Sequence, residues 1–167
     1  MRTYLLLCML FLGISCSKSD DQPAANINPW DGRYRIEGSL TDFDEPAITW
    51  PGSYEYNMET VSSTQIRVIS KDLGIAGHLI SHGGSLSYYS KFGLLVTIDP
   101  STNKITGITN TYGQPSENGR SAVLDPSGEN KWDPVTKNIH IKYWMDQTGI
   151  TGHKAAFDET WVYIGAR

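Results

Sequence analysis

Cysteine is nearly missing from this chain: there are two in 167 residues, Cys8 and Cys16, both within the first sixteen positions. No disulfide is available to brace the remainder, which must be held by a hydrophobic core. A positive charge excess is missing as well. Lysine and arginine number 14 against 18 aspartates and glutamates, a formal net charge of −4. No basic stripe exists to neutralise phosphates, so nucleic acid is disfavoured as a partner. The longest apolar run, Tyr4 to Ile14, is about eleven residues against the roughly twenty that a membrane-spanning helix needs. No window keeps apolar residues at i, i+3, i+4 and i+7 for three turns, which excludes a long amphipathic helix. Neither Gly-x-Ser-x-Gly nor His-Glu-x-x-His occurs, so two common hydrolase signatures are absent. No cofactor motif is read, and the chain is not expected to be an enzyme.

What is present begins with an address. Arg2 precedes the apolar run, and the small residue Ser15 leads to Cys16, the profile of a signal peptide. Leu12-Gly13-Ile14-Ser15-Cys16 resembles a bacterial lipobox, in which the cysteine is acylated and becomes the first mature residue; Gly13 stands where that motif usually has leucine. Ser17-Lys18-Ser19-Asp20-Asp21 resembles the lysine-plus-acid export signal of Bacteroidetes lipoproteins displayed on the outer face of the outer membrane. Together these imply a leader over residues 1–15, then a lipidated Cys16 with a tether to residue 29. A single all-β domain over residues 30–167 follows. The lipid bilayer is then a partner through Cys16, and each buried acyl methylene contributes about 0.8 kcal/mol. The tether, rich in Asp, Asn, Pro and Ala, can reach some 40 Å when extended.

From Trp30 onward, short stretches of alternating polarity are broken by Gly, Asn and Asp-Pro punctuation, which reads as strands and turns. Residues 33–41 place Tyr34, Ile36, Gly38 and Leu40 on one face against Arg33, Arg35, Glu37 and Ser39. Strands are also expected at 53–60, 64–70, 92–98, 138–146 and 157–165, with a hairpin turning at Gly83-Gly84. The last strand is apolar on both sides, so both of its faces are expected to be covered. Asp99-Pro100-Ser101-Thr102 recurs as Asp133-Pro134-Val135-Thr136. Proline presets φ and the aspartate accepts backbone N–H groups across the turn, so both are expected to join antiparallel strands. Residues 42–46 read as an acidic, solvated loop. Residues 110–131 form the longest gap, with a short strand at 121–124, and a loop of that length is usually functional or mobile.

Roughly nine strands without a covering helix must close on themselves or stack as two sheets. An antiparallel up-and-down barrel is the first expectation and a β-sandwich the alternative. Trp30 and Arg167 resemble the early tryptophan and late arginine that pack together at the closed end of lipocalin-like barrels. The C-terminal third adds a second likeness, carried by Leu124-Asp125-Pro126-Ser127-Gly128-Glu129-Asn130-Lys131-Trp132-Asp133-Pro134, Lys142-Tyr143-Trp144 and Glu159-Thr160-Trp161-Val162-Tyr163-Ile164-Gly165. It resembles a family of uncharacterised Bacteroidetes surface lipoproteins associated with polysaccharide-uptake systems. That resemblance implies an accessory role in glycan capture and carries over no catalytic residues.

Sugars stack on flat aromatic faces flanked by polar partners, and five tryptophans, nine tyrosines and four phenylalanines supply rings. Trp50, Trp132 and Trp144 are the loop or outward candidates. Tyr88 and Tyr89 are neighbours, so in a strand one of them must face away from the core. Asp125, Ser127, Glu129 and Asp133 set oxygen ligands at spaced positions, a weak calcium-loop candidate; a metal-free turn is the plainer reading. His78 and His82 would stand about 13 Å apart along a strand, too far to share a zinc ion. Asp42, Asp44 and Glu45, with Glu37 or Glu159, are the carboxylates that a glycosidase would need. The leading expectation is a surface-anchored, non-catalytic binding module for glycans in nutrient uptake. The others are a structural or docking subunit of an outer-membrane uptake complex, and a lipocalin-like carrier of a small apolar ligand.

Overall fold

The computed structural model describes residues 28–167; Cys16, the leader and the tether up to residue 27 lie outside the described residues. Twelve strands make up the fold and none of the described residues is helical. They are β1 (Gly32–Asp42), β2 (Ile48–Thr49), β3 (Tyr54–Ser62), β4 (Gln65–Ser70), β5 (His78–His82) and β6 (Ser85–Tyr89), then β7 (Leu94–Ile98), β8 (Ile105–Asn110), β9 (Arg120–Leu124), β10 (Lys131–Trp132), β11 (Ile139–Gln147) and β12 (Ala155–Gly165). The roughly nine strands expected become twelve with β8, which the sequence pattern gave no range, and with β2 and β10, two-residue segments that alternation cannot reveal.

The main sheet runs β10-β11-β12-β1-β3-β4-β7-β8, with β9 beside β10 on the same edge of β11. All of its pairs are antiparallel, and β1 joins the C-terminal β12 over ten residues, from Arg33↔Gly165 to Asp42↔Ala155. The sheet thus curls round until β8 faces β9 and β10, giving a nearly closed, lipocalin-like barrel in place of a sandwich. A separate three-stranded sheet, β2-β5-β6, lies outside this circuit.

Alternation drives the wall. In β11, Ile139, Ile141, Tyr143 and Met145 are buried while His140, Lys142 and Trp144 are half-buried. In β1, Tyr34 and Ile36 point in while Arg33, Arg35 and Glu37 point out. The outer face of β12 is only partly covered, and Asp158 is exposed, so its double apolarity does not signify double burial. At Gly38 a Cβ would meet the Asp158 carbonyl oxygen at 2.1 Å, so only glycine lets β1 and β12 approach there.

The barrel is sealed by side-chain amides where ladder bonds are missing. Gln114 Oε1 accepts from the Asn110 and Ala122 amides at 2.9 and 3.0 Å, and its Nε2 donates to the Ala122 carbonyl at 2.6 Å. Asn110 Nδ2 donates to the carbonyls of Arg120 and Lys91 at 2.9 and 2.8 Å. Lower on the seam, the Ile105 amide donates to Asn130 O and the Trp132 amide to Asn103 O. The 110–131 segment, expected to be a free functional loop, is therefore a stitched part of the wall.

The two Asp-Pro turns fold alike. Asp99 Oδ1 accepts from the Ser101 amide and Asp133 Oδ1 from the Val135 amide, both at 2.8 Å. The closing residues Asn103 and Lys137 share φ near 60°. Arg167 engages Asp31 at 2.8 Å and Glu59 at 3.1 Å. It thus pairs with the acid beside Trp30. Burial opposes ionisation of Asp31, but its bonds from Arg167 and Thr60 outweigh that and hold its carboxyl below the usual range.

Candidate functional site

The interior is filled by rings. Phe157 stacks on Tyr143 with centroids 4.6 Å apart and lies 6.0 Å from Phe92, and His78 meets the Phe157 ring edge-on at 4.5 Å. Alternation along β12 turns Phe157, Glu159 and Trp161 inward, which carries one carboxylate into this core. Glu159 accepts from the Tyr143 hydroxyl at 2.9 Å and from Trp161 Nε1 at 2.7 Å. His78 Nε2 stands 3.2 Å from Glu159 Oε1 without hydrogen-bond geometry. Burial pushes the Glu159 carboxyl up to about 7, against the lowering effect of its two donors. Burial pulls the His78 imidazole down to about 3. At neutral pH the histidine is therefore uncharged. Glu159 lay on the inward face of the last strand in the sequence pattern itself, between Phe157 and Trp161, and that placement is the signal that marks it as interior.

A second polar cluster sits where β1 ends. The Tyr89 hydroxyl donates to Asp42 Oδ2, and Lys154 Nζ lies 3.3 Å from both Asp42 and Asp44. Asp42 Oδ1 also accepts from the Asp44 and Glu45 amides. The acidic segment expected to be solvated is thus anchored by a buried Asp42 and a buried Lys154. Arg120 lies over the Tyr89 ring at 5.2 Å.

Besides a concavity of about 340 Å³ lined by Glu59, Arg67, Ile69, Ile75, Thr111 and Tyr112, a second lies on the outer side of β5 and β6. One part, about 350 Å³, is lined by Pro51, Ser53, Tyr54, Glu55, Lys71, Asp72, Leu79 and Leu86. The adjoining part, about 260 Å³, is lined by Leu73, Leu79, Leu86, Ser87 and Tyr88. Leu79 and Leu86 belong to both, so the two form one groove. Its rim carries the Lys71–Glu55 pair at 2.6 Å, and its exposed apolar members are Leu73, Leu86 and Tyr88, with Leu86 67 % exposed. The groove is built by the Gly83-Gly84 turn, whose positive φ values of 58° and 83° suit a two-residue hairpin.

The five ring candidates separate. Tyr88 is exposed and lines the groove, while its neighbour Tyr89 is buried, the split that strand alternation requires. Trp132 is buried against Trp30, ring edge to ring at 6.4 Å, and serves as an end plug; with Tyr89 it is withdrawn from any ligand surface. Trp50 is half-buried behind Tyr54, 5.3 Å between centroids. Trp144 is half-buried on the outer wall, stacked flat on His153 at 4.1 Å and 5°. Sequence reading missed Leu73 and Leu86, which the fold brings together from the segment after β4 and from β6.

The calcium-loop residues each have a separate partner. Asp125 accepts from the Ser127 amide, Glu129 pairs with Lys131 at 2.5 Å, and Asp133 caps its own turn. Among the described residues no group of three or more His, Cys, Asp or Glu side chains gathers to hold a metal. Glu37 sits in an exposed pair with Arg35, on the opposite side of the wall from Glu159. No family model, curated protein or solved structure matches this chain.

Proposed function

We propose that this chain is a non-catalytic binding module, held on the cell surface by acylated Cys16, that takes a glycan on the outer groove of β5 and β6. The observation that carries the reading is Tyr88, the one of the five candidate rings that is exposed, set in a concavity whose rim supplies Lys71, Glu55 and Asp72. An exposed ring offers a stacking face, and rim carboxylates and ammonium groups offer partners for hydroxyls. The placement supports display. Asn28, bonded to the carbonyls of Ser62 and Gln65 at the β3–β4 turn, lies at the barrel end opposite Lys71 and the groove. A tether leaving from Asn28 would hold the groove away from the bilayer. The test is affinity electrophoresis of the soluble chain from Ser17 onward against a panel of polysaccharides. Retardation by at least one glycan, abolished in Tyr88→Ala, is the expected result.

A second reading, a docking subunit of an outer-membrane uptake complex, is favoured by the aliphatic share of the same surface, Leu73 and Leu86. Co-purification of a membrane partner that is lost in Leu86→Asp would support it. The carrier reading has less support, because it requires an open interior where Phe92, Tyr143, Phe157 and Trp161 are packed.

A further inference from the structure

We infer that β6 is a pairing edge for a second copy of this chain, the two β6 strands running antiparallel about a two-fold axis through Ser87. This goes beyond the glycan reading and does not depend on it. The strand order of the small sheet, β2-β5-β6, leaves one side of β6 without a partner strand among the described residues. The hairpin register settles which backbone groups that side presents. A two-residue turn at Gly83-Gly84 makes His82↔Ser85 the first hydrogen-bonded pair, so Ile80↔Ser87 follows as the next, and the His78 amide, in the same phase, donates to the Phe92 carbonyl at 3.1 Å. Leu86 and Tyr88 are then the residues whose N–H and C=O groups point away from β5. The Leu79 amide confirms the phase, since it turns away from β6 to donate to the Tyr56 hydroxyl at 2.9 Å.

Proteins usually blunt such an edge with charge, proline or a bulge. Ser85-Leu86-Ser87-Tyr88-Tyr89 has none of these, and its two outward residues are also its two exposed apolar side chains. The edge is self-complementary. With the axis at Ser87, Leu86 of one copy faces Tyr88 of the other, both with outward amides and carbonyls, giving four backbone bonds. Beyond Tyr88 the edge is already capped, because Arg120 Nη1 donates to the Ser90 carbonyl at 2.6 Å, so the window is three residues wide. The window is small beside the roughly 800 Å² per partner of a stable dimer, so association is expected to be weak and reversible. Edge pairing leaves the sheet faces open and sets the two Tyr88 residues diagonally across the axis.

Ser87→Cys in the full chain, expressed in a bacterial host and oxidised with copper–phenanthroline, tests this. Directly opposed strand residues have Cβ atoms about 4.5–5.5 Å apart, within small adjustment of disulfide reach. Ser85 would lie about 13 Å from its own mate. The expected result is roughly tenfold more disulfide-linked dimer for Ser87→Cys than for Ser85→Cys or for the unsubstituted chain, whose cysteines are at positions 8 and 16. Adding Leu86→Pro, which removes an outward N–H and no bond to β5, is expected to abolish the dimer. Leu86→Asp serves the same purpose should the proline variant misfold. Equal yields at positions 85 and 87, a Ser87→Cys product containing a different protein, or a dimer indifferent to both Leu86 substitutions would overturn the inference.

Discussion

The barrel wall and the β2-β5-β6 sheet obey the same alternation of polarity, yet they finish it differently. In the wall the inward rings are covered: Tyr143 by Phe157 at 4.6 Å, Phe157 by His78 of β5 at 4.5 Å, Trp132 by Trp30 at 6.4 Å. Even the missing ladder bonds at the β8–β9 seam are replaced by Gln114 and Asn110. The small sheet buries His78, Ile80 and Tyr89 against the barrel but leaves Leu86 and Tyr88 in water and one edge of β6 without a partner strand among the described residues. Over-determined packing belongs to stability, and unfinished packing is where a partner can be received.

If this division is right, the largest effect belongs inside. Phe157→Ala removes a ring that Tyr143, Phe92 and His78 all touch, and a loss of about 3–5 kcal/mol is expected. Urea unfolding would show it as a lower midpoint at unchanged slope.

Glu159 sets the next effect. Its carboxyl is raised from 4.5 to about 7 by burial, so the folded state binds the proton more tightly than the unfolded chain does. Stability is then greatest, as far as this group is concerned, below pH 4.5, and falls as pH rises through about 7. At about 1.4 kcal/mol per unit, the full loss is roughly 3 kcal/mol. His78 acts in the opposite sense: its lowered value costs stability as pH falls from 6.5 through about 3. In Glu159→Gln the decline on the alkaline side should vanish while the acid side remains, which chemical denaturation from pH 4 to 9 would reveal.

Gln114→Ala tests the seam. It leaves the Asn110 and Ala122 amides and the Ala122 carbonyl without their partner, and about 1–3 kcal/mol should be lost. Hydrogen exchange at Ala122 should accelerate more than exchange at Ile141. At the small end, Tyr88→Ala and Leu86→Asp should shift stability by no more than about 0.5 kcal/mol, since both side chains are exposed. A large loss from either would break the comparison.

Much of the wall was legible because its instructions are local. Alternation in β1 and β11 and the Asp-Pro turns need only neighbours within three residues, and all appear as the sequence implied. The misreadings involve partners far along the chain. Asp42 was assigned to a solvated loop, but its cation is Lys154, 112 positions away. Trp132 was a ring candidate until Trp30 came to cover it. Gln114 fell unremarked within the 110–131 gap because its amide matches backbone groups on two different strands, and no periodicity records that. For the candidate site, alternation showed that one of Tyr88 and Tyr89 must face out. Asp42, by engaging the Tyr89 hydroxyl, decided which.

The most direct test of the account compares three chains on one glycan-containing gel, with unfolding midpoints measured alongside: unsubstituted, Tyr88→Ala and Trp144→Ala. The account predicts that Tyr88→Ala alone loses retardation while all three keep their midpoints within about 0.5 kcal/mol of stability. Retardation that survives Tyr88→Ala, or that disappears only in Trp144→Ala, would contradict it.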